Sequence, residues 1–290
     1  MSLDLFITDG HNLAYRCYHA LAPLTNSRGQ KTHALLGFIK SLRSAGRRWK
    51  PDKQVVVFDG GLSAERILLC PEYKAQRPPM PDDLRSQFPL IEQYLKLAGV
   101  PVLRMAGVEA DDIIAALARK VSLDRAEAII FSSDKDLYQL IDDYIRIVNL
   151  AKPDQTIDRK VAEEKFGVSP DQLGDWLALT GDVSDNISGV PGVGPVTATK
   201  LIKQFGSLTA LRTSLSNVHP ERVRLMLEKN WAVVERNRIM IRLQSEIVGL
   251  PDWSSLKVDA ASETELFAFY KEMELNSLLP KSIQPDLFNG

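Results

Sequence analysis

Leu3-Asp4-Leu5-Phe6-Ile7-Thr8-Asp9-Gly10 is the stretch on which the reading of this chain turns. Leu3–Thr8 is a short apolar run closed by an acid and a turn-forming glycine, the pattern of a buried strand. The same pattern recurs downstream. Gln54–Phe58 ends on Asp59, Pro101–Met105 runs on to Glu109, Asp111 and Asp112, and Ala128–Ser132 is followed by Asp134 and Asp136. Ile145–Leu150 is a fifth such run. Between the runs, Ala34–Ala45, Leu84–Ala98 and Ala110–Arg119 carry apolar residues at helical spacing. Strand–helix alternation predicts an α/β domain of about 160 residues, a mainly parallel sheet covered by helices with right-handed crossovers. In open parallel sheets, ligand sites form beyond the carboxyl ends of the strands. Four strand ends therefore aim acids at one rim.

Past Pro170 the strand pattern stops. Asp171–Leu179, Val196–Phe205, Leu208–Leu215, Glu221–Leu227 and Trp231–Leu243 read as helices, and Ser169-Pro170 supplies a cap and a first-turn proline. The expected division is an α/β domain over 1–168, a helical domain over 169–276 and an extended tail over 277–290. Within the first, Cys70–Pro81 is rich in proline and charge and reads as a mobile excursion, part of an arch at about 65–100.

Bulk composition narrows the class. The chain has 290 residues, 44% of them apolar and 25% charged, as in ordinary globular proteins. No stretch approaches the roughly 20 apolar residues of a membrane helix, and Met1-Ser2-Leu3-Asp4 lacks the basic start of a signal peptide. A cytoplasmic protein with no membrane partner is expected. Cys17 and Cys70 stand far apart without metal-ligand spacing, which argues against a zinc site or a disulfide framework. The net charge of −1 is low for a nucleic-acid binder, but it conceals segregation. Arg43, Arg47, Arg48 and Lys50 form one basic cluster, and residues from Lys200 to Arg242 supply another.

Each acid alone has a bland explanation. Asp9-Gly10 reads as a turn, Ser133 with Asp136 as a capping box, and Asp111 as a helix-dipole partner. Together they do not, because carboxylates crowded at one rim repel and raise each other's pKa. Oxygen-rich sites without histidine or thiolate suit Mg²⁺ or Mn²⁺. Asp182 and Asp185 join the set from Gly181-Asp182-Val183-Ser184-Asp185-Asn186, three residues apart and so on one side of a turn. Such a set can hold two ions roughly 4 Å apart, activating water on one side of a phosphodiester and stabilising the leaving oxygen on the other.

Two further segments bear on the substrate. Gly189-Val190-Pro191-Gly192-Val193-Gly194-Pro195 precedes a helix carrying Lys200 and Lys203. Gly192 and Gly194 allow close backbone approach to a phosphate at the helix start, a clamp that positions DNA without reading sequence. In the excursion, Tyr73, Lys74 and Arg77 lie close together with Arg66 upstream, cations and a ring fitted to a phosphate and a base.

Together these residues resemble the 5′-nuclease family, the flap endonucleases and the 5′-nuclease domain of bacterial DNA polymerase I. The matching motifs run from Leu3 to about Leu250. They are Asp9-Gly10 with Tyr15-Arg16, Phe58-Asp59, Pro71-x-Tyr73-Lys74-x-x-Arg77, Glu109-Ala110-Asp111-Asp112, Ser133-Asp134-Lys135-Asp136, and Gly181-Asp182 through Gly194. His11 stands where that family usually has a small residue. The resemblance implies a PIN-like α/β core followed by a helix-three-turn-helix DNA-binding domain. It assigns Asp9, Asp59, Glu109, Asp111 and Asp112 to one Mg²⁺, and Asp134, Asp136, Asp182 and Asp185 to another, with Mn²⁺ able to substitute. It places Lys74, Arg77 and Arg16 on the scissile phosphate, Tyr73 on the terminal base, and K⁺ at the glycine loop. Expected partners are DNA with 5′ flaps or ends and RNA primer–DNA hybrids, met by a monomer at the nucleoid. Gln284-Pro285-Asp286-Leu287-Phe288 resembles a sliding-clamp peptide, with Gln284, Leu287 and Phe288 as its anchors.

The expected function is a structure-specific 5′-nuclease of replication or repair. A catalytically silent DNA-binding homologue is the alternative from another class, but a pure binder gains nothing from repulsive carboxylates facing phosphates. An RNA-directed nuclease of related fold explains the acids and leaves the glycine loop and helical domain unexplained.

Overall fold

The chain alternates strand and helix through its first half, as its apolar runs dictate. The structure, a computed structural model, describes residues 3–280; the expected clamp peptide around Gln284, Leu287 and Phe288 lies outside them. In order come β1 (Leu5–Asp9), α1 (Gly10–Ala20), α2 (His33–Trp49), β2 (Lys53–Val57), α3 (Ala64–Leu69), α4 (Asp82–Arg85), α5 (Phe88–Leu97), β3 (Val102–Leu103), α6 (Ala110–Leu123), β4 (Ala128–Phe131), β5 (Ile145–Val148), β6 (Thr156–Ile157) and α7 (Arg159–Phe166). There follow α8 (Leu173–Thr180), β7 (Gly181–Asp182), β8 (Ile187–Ser188), α9 (Pro195–Phe205), α10 (Leu208–Thr213), α11 (Glu221–Lys229), α12 (Trp231–Ile241) and α13 (Glu263–Glu272). Among the described residues no helix is long and apolar enough to cross a membrane.

The sheet order is β3-β2-β1-β4-β5-β6, parallel except for the β5–β6 edge. Side chains alternate across it. Leu5, Ile7, Val55, Val57, Ile130 and Ile147 face α6 and the helical region. Phe6, Val56, Phe58, Ile129, Phe131 and Val148 face α1, α2 and α5. Both faces are buried, so the strands read as continuous apolar runs.

Three expectations change. The predicted helix Leu84–Ala98 is two pieces, α4 and α5: Gln87, buried between them, spends its amide on Asp83 O (2.8 Å) and the Leu35 N–H (3.1 Å), and Pro89 sits in the first turn of α5. Cys70–Pro81 is not a free excursion. Lys74 N–H donates to Asp185 O (3.1 Å), Asn186 Nδ2 to Glu72 O (2.7 Å), and Gln76 Nε2 to Val183 O and Ser184 O (both 3.1 Å). Finally α13, expected in the helical domain, packs Phe269, Tyr270 and Met273 into the cluster with Phe38 and Tyr94 on the other side of the sheet.

Candidate metal centre

The carboxyl ends of β1, β2 and β4 and the start of α6 converge where the sequence put its acids. Asp9 closes β1 and caps α1: its Oδ1 accepts the Asn12 N–H (3.0 Å) and its Oδ2 the Ser132 hydroxyl (2.8 Å). Burial, then the charges of Asp134 and Asp59, push its pKa up to about 6 against these two hydrogen bonds. Asp59 is held by its own turn, accepting the Gly61 N–H (2.8 Å), while its backbone N–H donates to His11 Nδ1 (3.0 Å). Asp111, in the first turn of α6, is raised well above the ordinary range by burial and by Asp134 and Asp9. Asp134 accepts the Asp136 N–H (2.9 Å) and is raised by burial and by Asp185 and Asp182, so an aspartate turn stands where the bland reading had a Ser133–Asp136 capping box.

Across from this rim, the β7–β8 turn delivers Asp182 and Asp185. Carboxylate oxygens of Asp136, Asp182 and Asp185 lie within 4.8 Å of one another. Asp182 Oδ1 takes Lys135 Nζ (2.6 Å), the Ser184 N–H (2.9 Å) and the Ser184 hydroxyl (2.6 Å), contacts that outweigh burial and lower its pKa. Its Oδ2 is buried without a hydrogen-bond partner, and so is Asp136 Oδ1. A buried carboxylate oxygen left unpaired is costly, and a hard divalent cation is the partner that oxygen-only donors fit best.

Glu109 and Asp112 differ from the others. Arg66 is buried, and its guanidinium donates to Glu109 Oε1 (2.8 Å), to Asp112 Oδ2 (2.8 Å) and Oδ1 (2.9 Å), and to the carbonyls of Met240 (3.0 Å) and Arg242 (2.9 Å). Asp112 Oδ1 also accepts the Gln244 N–H (2.9 Å). Asp112, expected on the metal, and Arg66, expected on DNA, are here engaged with each other: each saturates the other in the interior, where an ion pair needs such satisfaction. Glu109 accepts from Ser63 N–H (3.2 Å), Tyr73 OH (3.0 Å) and Lys74 Nζ besides Arg66. Burial alone would raise it, but Lys74 and Arg66 hold it down at about 2.

The predicted substrate residues are split. Tyr73 is only 4% exposed, with its hydroxyl on Glu109 and Asp185 and Lys74 Nζ lying 4.9 Å from its ring centre. That closes the ring to a base in this conformation. Lys74 is buried beside it, whereas Arg77 is half exposed and pairs with Asp185 (2.6 Å). Arg16 is exposed on α1. Gly192, Gly194, Lys200 and Lys203 are exposed on the α9 approach, away from any ion pair among the described residues. Sequence reading passed over Asn12, Ser132 and Lys135, which orient the acids. Only Lys135, inside Ser133-Asp134-Lys135-Asp136, left a signal.

Fold and site together define an α/β protein whose strand ends present oxygen donors fitted to divalent cations. The model of the 5′-3′ exonuclease N-terminal resolvase-like domain matches residues 4–167, and that of the 5′-3′ exonuclease C-terminal SAM fold matches 168–264. A 5′-3′ exonuclease of Aquifex aeolicus is 36% identical over 275 residues, covering 95% of this chain and 93% of that protein. The thermostable DNA polymerase I of Thermus aquaticus is 39% identical over 280 residues, and the match covers 32% of its length. Among solved structures, T5 5′-exonuclease with bound zinc aligns at TM-score 0.69 and 23% identity, covering 94% of this chain and 98% of that one. The catalytic core of Rad2 with DNA substrate aligns at 0.63 and 17%, covering 94% and 88%. The chain belongs to the 5′-3′ exonuclease family.

Proposed function

We propose that the protein hydrolyses DNA phosphodiesters at 5′ ends and flaps, with Mg²⁺ as the resident ion and Mn²⁺ as a substitute. The observation that carries this is the convergence of Asp136, Asp182 and Asp185 with two buried oxygens lacking partners. A silent DNA binder has no use for that arrangement. Asp134, Asp136, Asp182 and Asp185 hold one ion, and Asp9, Asp59 and Asp111 the other. Bound there, divalent ions supply an activated water and neutralise charge building on the phosphorus oxygens. Asn12 and Ser132 fix the Asp9 carboxylate, Ser184 and Lys135 fix Asp182, and Arg77 brings a cation to the scissile phosphate. The exposed glycine loop and Lys200 grip the duplex through its phosphates, with K⁺ at the loop. The α/β half, about 1–168, is the catalytic domain and the helical half the DNA-binding one.

The test is cleavage of a 5′-labelled flap substrate with Mg²⁺, beside an EDTA control and Asp136→Ala. Cutting near the junction that both controls abolish supports the reading. Tight binding without cutting, in Mg²⁺ and in Mn²⁺, overturns it in favour of the silent binder.

A further inference from the structure

The turn between β7 and β8, which carries Asp182 and Asp185, is held from two sides. At its foot the helical half holds it. The Gly181 N–H donates to Leu177 O and the Val190 N–H to Leu179 O (2.9 Å). Asn237, buried on α12, donates through Nδ2 to Ala178 O (3.0 Å) and Ser188 O (2.8 Å). At its crown the turn is held by the segment 72–77. All three carbonyls of 183–185 accept from that segment. Gln76 Nε2 donates to Val183 O and Ser184 O (both 3.1 Å), Arg77 Nε to Ser184 O (3.3 Å), and the Lys74 N–H to Asp185 O (3.1 Å). In the other direction Asn186 Nδ2 donates to Glu72 O (2.7 Å).

Two non-glycine residues take the left-handed backbone conformation at this joint, Lys74 at φ +56° and Asn186 at φ +59°. That conformation is disfavoured for a side chain and persists where the surroundings over-determine it. Lys74 in it gives its N–H to Asp185 O and its Nζ to Glu109. The two anchorages serve different acids. Asp182 lies at the foot, where Lys135 and Ser184 fix its carboxylate. Asp185 lies at the crown, and its carboxylate takes Tyr73 and Arg77 of the same segment that grips its backbone. The place of Asp185 beside Asp136 and Asp182 therefore depends on 72–77. Gln76 and Asn186 are exposed, and the side-chain amide of each donates only to backbone carbonyls.

We propose that Gln76 and Asn186 are positioning residues for the metal centre. They latch the segment 72–77 onto the β7–β8 turn and so set where Asp185 stands relative to Asp136 and Asp182. Groups that orient a ligand without touching the ion govern how tightly it is held. A divalent cation binds at full strength only while 72–77 is latched, and by reciprocity a bound cation holds that segment in place. The inference rests on the function proposed above, in which Asp136, Asp182 and Asp185 share an ion. It adds two residues to which that reading gives no part.

The experiment titrates Mn²⁺ into the DNA-free full chain by calorimetry, with Asp182→Ala marking the part of the isotherm that belongs to this turn. Gln76→Ala is expected to weaken that part by about fivefold, the worth of one hydrogen bond. Asn186→Gly removes the other donor while keeping the left-handed backbone accessible, and is expected to act in the same direction. Combined, the two should cost less than the product of their separate effects, because they release one segment. Gln76 is exposed, so an unchanged melting temperature in EDTA checks that its variant folds. In hydrogen exchange on the same samples, Mg²⁺ is expected to slow the amides of 72–77 in the wild type, and less so in Gln76→Ala. Suppose the wild type binds Mn²⁺ at this turn, both variants bind it as tightly, and exchange in 72–77 ignores Mg²⁺. That result overturns the latch alone. A wild-type isotherm that Asp182→Ala leaves untouched overturns the latch together with the proposed metal centre.

Discussion

Arg66 shows what a single residue contributes when its surroundings are counted. The guanidinium joins Glu109, Asp112 and two carbonyls of 240–242 in the interior. Removing one member of a buried ion pair strands the other's charge, at a cost of about 3–5 kcal/mol. Arg66→Met is therefore expected to lower stability by that amount in equilibrium urea unfolding. A loss of DNA affinity at unchanged stability would return Arg66 to the substrate surface. Its role was illegible because its partners lie 43 to 176 residues away, and an arginine's own sequence neighbours do not show which distant acids it meets. The acids of the α/β half were legible for the opposite reason. Asp9 and Asp59 directly follow an apolar run, and Glu109 to Asp112 and Asp134 to Asp136 come within a few residues of one, so chain order sent them to one rim.

Among elements, α9 separates local demand from ligand demand. Gly192 has φ +79°, a conformation that costs a side chain about 1 kcal/mol. Gly194 has φ −86° and open space around the place a Cβ would take, so the fold does not require glycine there. Gly192→Ala should therefore destabilise by about 1 kcal/mol. Gly194→Ala should leave stability within a few tenths of a kcal/mol and yet weaken duplex binding, because the added methyl meets the approaching phosphate backbone. Lys200→Ala should likewise spare stability while flattening the salt dependence of binding by about one contact. Gly194→Ala binding as the wild type does, with an unaltered salt slope for Lys200→Ala, would remove the clamp from this helix. The helix itself was readable from Pro195 and its apolar spacing. α1 was not, because Asp9-Gly10 reads equally well as a turn, and only the packing of Leu13, Ala14 and Cys17 against α2 settles the matter. Nor was the brevity of β3, which pairs only Val56 and Val57 at the sheet edge.

At the scale of the whole molecule, the acids tie metal loading to pH. Burial and mutual repulsion raise Asp9 to about 6, and raise Asp111, Asp134 and Asp136 as well. A carboxyl whose folded pKa is raised costs nothing below its unfolded value near 3.8, and its full cost falls on the protein above the folded value. In EDTA these groups therefore lower stability as pH rises through about 6. Glu109, shifted down to about 2, adds stability above its unfolded value of 4.5 and is constant across this window. His11 and His33, depressed chiefly by burial, work against the trend as pH falls through 6.5. The clean signature is the difference between the two conditions. Metal needs the ionised carboxylates, so the rise in melting temperature on adding Mg²⁺ should be larger at about pH 7.5 than at about pH 5. A rise that does not change with pH would mean that Mg²⁺ binds elsewhere.

The return of α13 across the sheet has a mechanical meaning. Leu3 and Leu279, near the two ends of the described chain, are buried in one apolar cluster with Phe269, Tyr270 and Met273. A pull between residues 3 and 279 is borne by that cluster and shears α13 from α5. The helical stretch from α8 to α12 lies off the line of force and carries no load until α13 has peeled away.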